Sequence, residues 1–162
     1  MLLCALAACD VGSQRRFEKD EWIEEYENRQ PKRVKPGQIL EQLQAQGTKL
    51  NSVLDSLSSG TLNTNSTACC NLPASNVLDS LQNRYDVRIR CFSLEETIQT
   101  DDSLEYALLD AYKYNLSSQL PLQPGSQKDG GTHYLYTIPI QNDSCVSVRS
   151  YRFTTKVLVN GI

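Results

Sequence analysis

From Thr132 the chain reads THYLYTIPIQNDSCVSVRSYRFTTKVLVN, dense in β-branched and aromatic residues. This stretch limits the fold more than any other. Such side chains lose rotamer freedom in a helix and pack well on a pleated surface, so two or three strands are expected in it. A sheet built there has to be covered by whatever precedes it, and what precedes it is mostly helical in pattern.

The clearest helix is PGQILEQLQAQGTKLNSVLDSLSSG, where Ile39, Leu40, Leu43, Leu50, Val53, Leu54 and Leu57 form one stripe. Pro36 suits its first turn and Gly60 its end. Gly47 interrupts it at about 1 kcal/mol relative to alanine, which marks a kink or a close packing contact. PASNVLDSLQNRY places Val77, Leu78, Leu81 and Tyr85 on one face of a second helix. In DVRIRCF, Val87, Ile89 and Cys91 alternate with Arg88 and Arg90, the pattern of a half-buried strand. Asp102 and Glu105 stand as in a capping box before a third helix, LEYALLDAYKYN. SSQLPLQPGSQKDGG is expected to be loop. Helices and strands segregate instead of alternating, so the expected class is α+β, an antiparallel sheet flanked by helices, with a long N-terminal helix.

A net charge of −3 offers no basic stripe to neutralise phosphates, so no nucleic-acid partner is expected. The single histidine, His133, cannot build a triad or a two-histidine zinc site. It falls near a strand start beside Gly130 and Gly131 and is expected to be an edge or surface residue. Glu95-Glu96 and Asp101-Asp102 flank a helix start, where the helix dipole favours carboxylates without any catalysis. The chain is therefore not expected to be an enzyme, and no metal site is expected.

The segment MLLCALAACD is short and apolar and ends Leu6-Ala7-Ala8-Cys9. It resembles the lipobox of a bacterial lipoprotein signal, in which the cysteine becomes the first residue and carries lipid. No Lys or Arg precedes Cys9, although a signal peptide needs a basic start. Residues 1–8 are accordingly read as a truncated signal peptide whose basic part precedes the recorded Met. The alternative is an apolar terminal strand with a chance cysteine. Acyl chains contribute about 0.8 kcal/mol per buried methylene, so several of them anchor as a transmembrane helix would. Residues 9–35 form a charged tether with a short helix around Glu18–Asn28, which Trp22, Ile23 and Tyr26 could dock. Residues 36–162 form a single domain. The expected location is the bacterial cell envelope, anchored by lipid and facing the periplasm or exterior.

Three stretches together resemble a family of bacterial extracytoplasmic sensor domains, PAS-like in fold, that bind one c-type haem. They are the helix introduced by KRVKPGQILEQLQAQGTKL, the step Ala68-Cys69-Cys70 before a helix and VRIRCFSLEETI, and the helix near Glu105 followed by HYLYTIPIQNDSC. The likeness covers roughly residues 32 to 149. It implies a PAS-like antiparallel sheet and a Cys-x-x-Cys-His site after the tyrosine-rich strand. Cys145 matches the first cysteine of that site. Val148 stands where the second should be, and Arg149 where the histidine should ligate iron. A guanidinium stays protonated and has no lone pair to offer a metal. In the family an upstream cysteine can supply the other axial ligand, and Cys69 or Cys70 holds that place.

The resemblance thus implies a sensor or interaction domain that has lost covalent haem, with an unknown protein or small molecule as partner and no cofactor expected. The alternative is a haem-binding redox or gas sensor with unusual ligation through Cys69 or Cys70. A weaker third reading is a reactive thiol at Cys69-Cys70. In an oxidising compartment Cys69, Cys70, Cys91 and Cys145 allow three disulfide pairings, with Cys69 or Cys70 bonded to Cys91 or Cys145 expected. Arg88, Arg90 and Arg149 either bring positive charge to a pocket or lie on the solvent face of the sheet.

Overall fold

A computed structural model describes residues 34–59, 70, 72–142 and 145–161. Cys9, the lipobox, the tether helix around Glu18–Asn28, Gly60 and Cys69 lie outside the described residues. The chain from Val34 onward is one compact unit. Its elements run α1 Pro36–Ser59, α2 Ser75–Tyr85, β1 Val87–Ser93, α3 Ser103–Ser117, β2 Gly125–Asp129, β3 His133–Asn142, β4 Cys145–Thr154 and α4 Thr155–Val159. The strands form one antiparallel sheet in the order β1-β4-β3-β2. The fold is α+β, with helices on both faces of the sheet.

Period-two alternation along β4 explains the two layers. Arg149, Tyr151 and Phe153 point to one face, together with Val87 and Ile89 of β1 and Tyr134 and Tyr136 of β3. Against this face α1 lays Ile39, Leu43, Leu50 and Leu54, all buried in the same cluster. Each such leucine contributes roughly 1.5–3 kcal/mol on leaving water. The stripe is narrower than its sequence pattern, for Leu40 and Leu57 are exposed. Gly47 is the contact point of α1: a Cβ there would collide with the ring of Tyr136. The glycine therefore marks close approach of helix and sheet.

Val146 and Val148 point to the opposite face, where Leu94 and α3 residues Leu109 and Tyr112 complete a second cluster. The Tyr112 hydroxyl bonds the Gln123 carbonyl at 2.8 Å and Thr137 Oγ1 at 3.0 Å, fixing the chain just before β2. Burial, opposed in part by the Thr137 hydrogen bond, holds the Tyr112 phenol above its ordinary pKa.

Three local expectations need correction. GSQKD is not loop but an edge strand, paired from Gly125↔Thr137 to Asp129↔His133. Its polar composition hides it, because an edge strand with little buried surface needs only the ladder of its neighbour. TKVLV does not continue the sheet but turns into α4. The β3 partner of β4 begins at His133, opposite Thr154, so a longer strand would lack a ladder there, while a helix turn buries Leu158 completely. The capping box is only half formed. Asp102 accepts from the Glu105 N–H at 2.9 Å, worth about 1 kcal/mol. The Glu105 carboxylate does not reach back; it turns into the sheet.

Candidate functional site

The site singled out by sequence is the start of β4 and the cysteines around it. Cys91 of β1 lies directly opposite Arg149, and Ile138 of β3 flanks Arg149 on the other side. Cys145 and Arg149 are four residues apart on β4 and so share the α1 face. Val148 is odd-numbered from Cys145 and turns to the α3 face, fully buried with Leu109 and Tyr112.

Arg149 is 4 % exposed. A charge so buried needs partners, and α1 supplies them from Asn51 and Asp55, one helical turn apart. Arg149 Nη1 donates to Asn51 Oδ1 at 2.9 Å and to Asp55 Oδ1 at 2.6 Å. Asn51 Nδ2 in turn donates to Asp55 Oδ2 at 3.0 Å, and the Tyr151 hydroxyl donates to Asn51 Oδ1 at 2.9 Å. Burial pushes the Tyr151 phenol far above its usual range, despite the neighbouring Arg149 cation. The group is a polar clamp between α1 and β4, held at the end of the core that Tyr136 and Tyr151 fill.

Bonded cysteines stand at the same end of the sheet. Cys70 and Cys91 are disulfide-bonded, with Cα atoms 5.6 Å apart. Cys145 is also disulfide-bonded. The Cys70 bond is one of the pairings the sequence left open. A Cys70 thiolate, for iron or for catalysis, would first require that bond to be reduced.

These residues do not fit a c-type haem. Thioether attachment through Cys145 and position 148 needs two sulfurs on one side of the chain, and β4 sends these two positions to opposite faces. At position 149 a guanidinium already bonded to a carboxylate stands where an imidazole lone pair is needed.

The three arginines do not converge. Arg149 lies under α1, whereas Arg88 and Arg90 sit on the other face of β1. Neither is Arg90 on a bare solvent face: with Thr100 and Ser150 it surrounds Glu105, which is 3 % exposed. Arg90 Nη1 reaches Glu105 Oε2 at 2.8 Å and Asp101 Oδ1 at 3.6 Å. Arg152 forms ion pairs with Asp102 and, at 3.1 Å, with Asp129. Burial opposes the charge on Asp102, but the Glu105 N–H and the Arg152 guanidinium outweigh it and lower the carboxyl pKa. Glu95 and Glu96 are exposed. His133 opens β3, half-buried, with Nδ1 2.9 Å from Thr132 Oγ1. It lines a shallow cleft of about 470 Å³ with Asp86, Arg88, Arg152 and Thr154.

Sequence reasoning did not find Asn51 and Asp55, the partners of Arg149, nor Glu105 as a buried anion. Asn51 and Asp55 flank the leucine stripe at i, i+4, a polar edge beside an apolar face, but their partner Arg149 lies 98 and 94 residues further on. Among the described residues no group of three His, Cys, Asp or Glu side chains is placed to hold a metal ion, and no helix is long and apolar enough to cross a membrane. Compared with known protein families, curated proteins and solved structures, the chain finds no match in any of the three.

Proposed function

We propose that this chain is a lipid-anchored, extracytoplasmic, PAS-like sensor or interaction domain in which covalent haem has been replaced by a disulfide-braced polar clamp, and that it is not an enzyme. The observation that carries the proposal is Arg149. At the position where the resembling family has its iron-ligating histidine, the side chain is buried and engaged by Asp55 and Asn51. The bonded state of Cys70, Cys91 and Cys145 supports the same reading, because such bonds persist in oxidising compartments. The sheet, whose first strand pairs with its last and whose helices cover both faces, is compatible with a PAS-like domain. Cys9 would carry the lipid, the membrane being reached through that anchor, and the partner would be a protein or small molecule outside it.

Two measurements test the proposal separately. Protein purified from cells that co-express cytochrome maturation factors is expected to be colourless, with no Soret band and no pyridine haemochrome. A covalently retained Soret chromophore overturns the haem-free reading. Metabolic labelling with a radioactive fatty acid, with Cys9→Ala beside the parent chain, tests the anchor: equal labelling, or none in either chain, removes it.

A further inference from the structure

The edge of β1 is half closed and half open, and the pattern is set by strand register. The Ile89 N–H donates to Gln82 Oε1 of α2 at 2.9 Å, so it does not bond β4. Residues 87, 89, 91 and 93 therefore turn their backbone N–H and C=O groups away from β4, while Arg90 and Phe92 carry the ladder. At Ile89 the protein covers its own edge with a glutamine side chain. At Cys91 and Ser93, among the described residues, it places no hydrogen-bond partner on these main-chain groups. They face a cleft of about 480 Å³ lined by Cys70, Phe92, Glu96, Ile98 and Gln99. Unpaired edge groups of this kind are a template for another strand.

We infer that the β1 edge at Cys91 and Ser93 is a docking edge for an extended, lysine- or arginine-bearing peptide segment of a partner protein. The chemistry of the walls selects the occupant. An added strand alternates its side chains, so one set meets the Cys70–Cys91 disulfide and the other meets Phe92 and Ile98, which take apolar groups. The rim carries Glu95 and Glu96, both exposed, whose carboxylates form no ion pair among the described residues. Lys113 is engaged with the Glu96 carbonyl oxygen and leaves that carboxylate to a partner. A second copy of this chain fits less well, because it would bring its own α2 alongside its β1 and α2 already occupies the edge at Ile89. The inference needs neither the lipid anchor nor the PAS-like reading.

The test is amide hydrogen exchange on the full chain, with and without an end-capped peptide of alternating lysine and valine. In the free protein the Cys91 and Ser93 amides are expected to exchange fast while Arg90 and Phe92 are protected. Saturating peptide is expected to slow Cys91 and Ser93 by at least ~10-fold, the effect of two main-chain hydrogen bonds. The same peptide N-methylated on its pairing edge is expected to lose that protection. A glutamate–valine peptide should bind worse to the parent chain and better to Glu95→Lys/Glu96→Lys, whose exposed substitutions leave the fold intact. Strong protection of Cys91 and Ser93 in the free monomer overturns the inference, as does equal binding of the methylated peptide. Protection that rises with protein concentration alone overturns it too, by assigning the edge to a second copy.

Discussion

Asp55→Ala should cost more stability than Arg149→Met, although Arg149 is the buried member of the pair. The side chain of Arg149 is 5 % exposed and that of Asp55 is 54 % exposed. Replacing Arg149 by methionine removes the buried charge, leaves a flexible apolar chain of similar length, and lets Asp55 hydrate where it already meets water. The cost is about 1 kcal/mol, chiefly the lost hydrogen bonds. Replacing Asp55 by alanine strips the carboxylate from a guanidinium that cannot hydrate without opening the helix–sheet contact. Removing one partner of a buried pair costs about 3–5 kcal/mol; with Asn51 still accepting from Arg149, about 3 is the better figure. At roughly 3 °C per kcal/mol for a domain of this size, the midpoints should fall by ~9 °C and ~3 °C. The double variant should be more stable than Asp55→Ala alone, since it removes the buried cation that has lost its carboxylate. Urea unfolding of the four proteins with disulfides intact gives the cycle. An Asp55→Ala cost no larger than that of Arg149→Met, or a double variant no better than Asp55→Ala, would refute the reasoning.

Other consequences are as direct. Replacing Cys70 by serine and Cys91 by alanine together opens a loop of sequence separation 21, which chain entropy sets at about 3 kcal/mol, readable as a drop in urea midpoint. Gly47→Ala, which in an open helix gains about 1 kcal/mol, should here lose about 1–2 net, because the new methyl strikes the buried Tyr136 ring; an increased thermal midpoint would contradict the packing. Asp102→Asn keeps an oxygen for the Glu105 N–H and so tests the ion pair with Arg152. The folded-state pKa of Asp102 is lowered, so its contribution is complete above the unfolded-state value and disappears as pH falls through the folded one. The variant should thus be less stable than the parent at neutral pH by up to about 1 kcal/mol, the worth of a partly exposed ion pair, with the two curves converging in acid.

What could be read in the sequence was what depends on neighbours in the chain. The stripe of α1, the amphipathic face of α2 and the alternation Val87-Ile89 are periodicities, and the elements stand where those periods run. The polar edge strand β2 has no period of its own, because it exists only through its pairing with β3. TKVLV is rich in strand formers, yet its conformation follows from where the sheet runs out of partners and where Leu158 can be buried. Glu105 looked like the second half of a capping box, and local spacing had no means of announcing Arg90, Thr100 and Ser150. The clamp on Arg149 was hidden for the same reason, since Asn51 and Asp55 are ordinary helix residues until β4 is laid beneath them.

The geometry of β4 also changes how Val148 and Arg149 are to be read. Taken as letters, Val148 and Arg149 are two changes away from Cys-x-x-Cys-His. Taken as positions in a strand, they face different layers: Val148 fills the α3 core completely, and Arg149 ties β4 to α1. Restoring a cysteine and a histidine would therefore set one sulfur into each layer and leave Asp55 opposite an imidazole, with no common side on which a porphyrin could be held. Each residue now contributes to a packing that a haem would have to displace, and the Cys70–Cys91 bond ties β1 to the chain ahead of α2 beside it. The start of β4 ties the sheet to both helical layers, through Val148 on one face and Arg149 on the other.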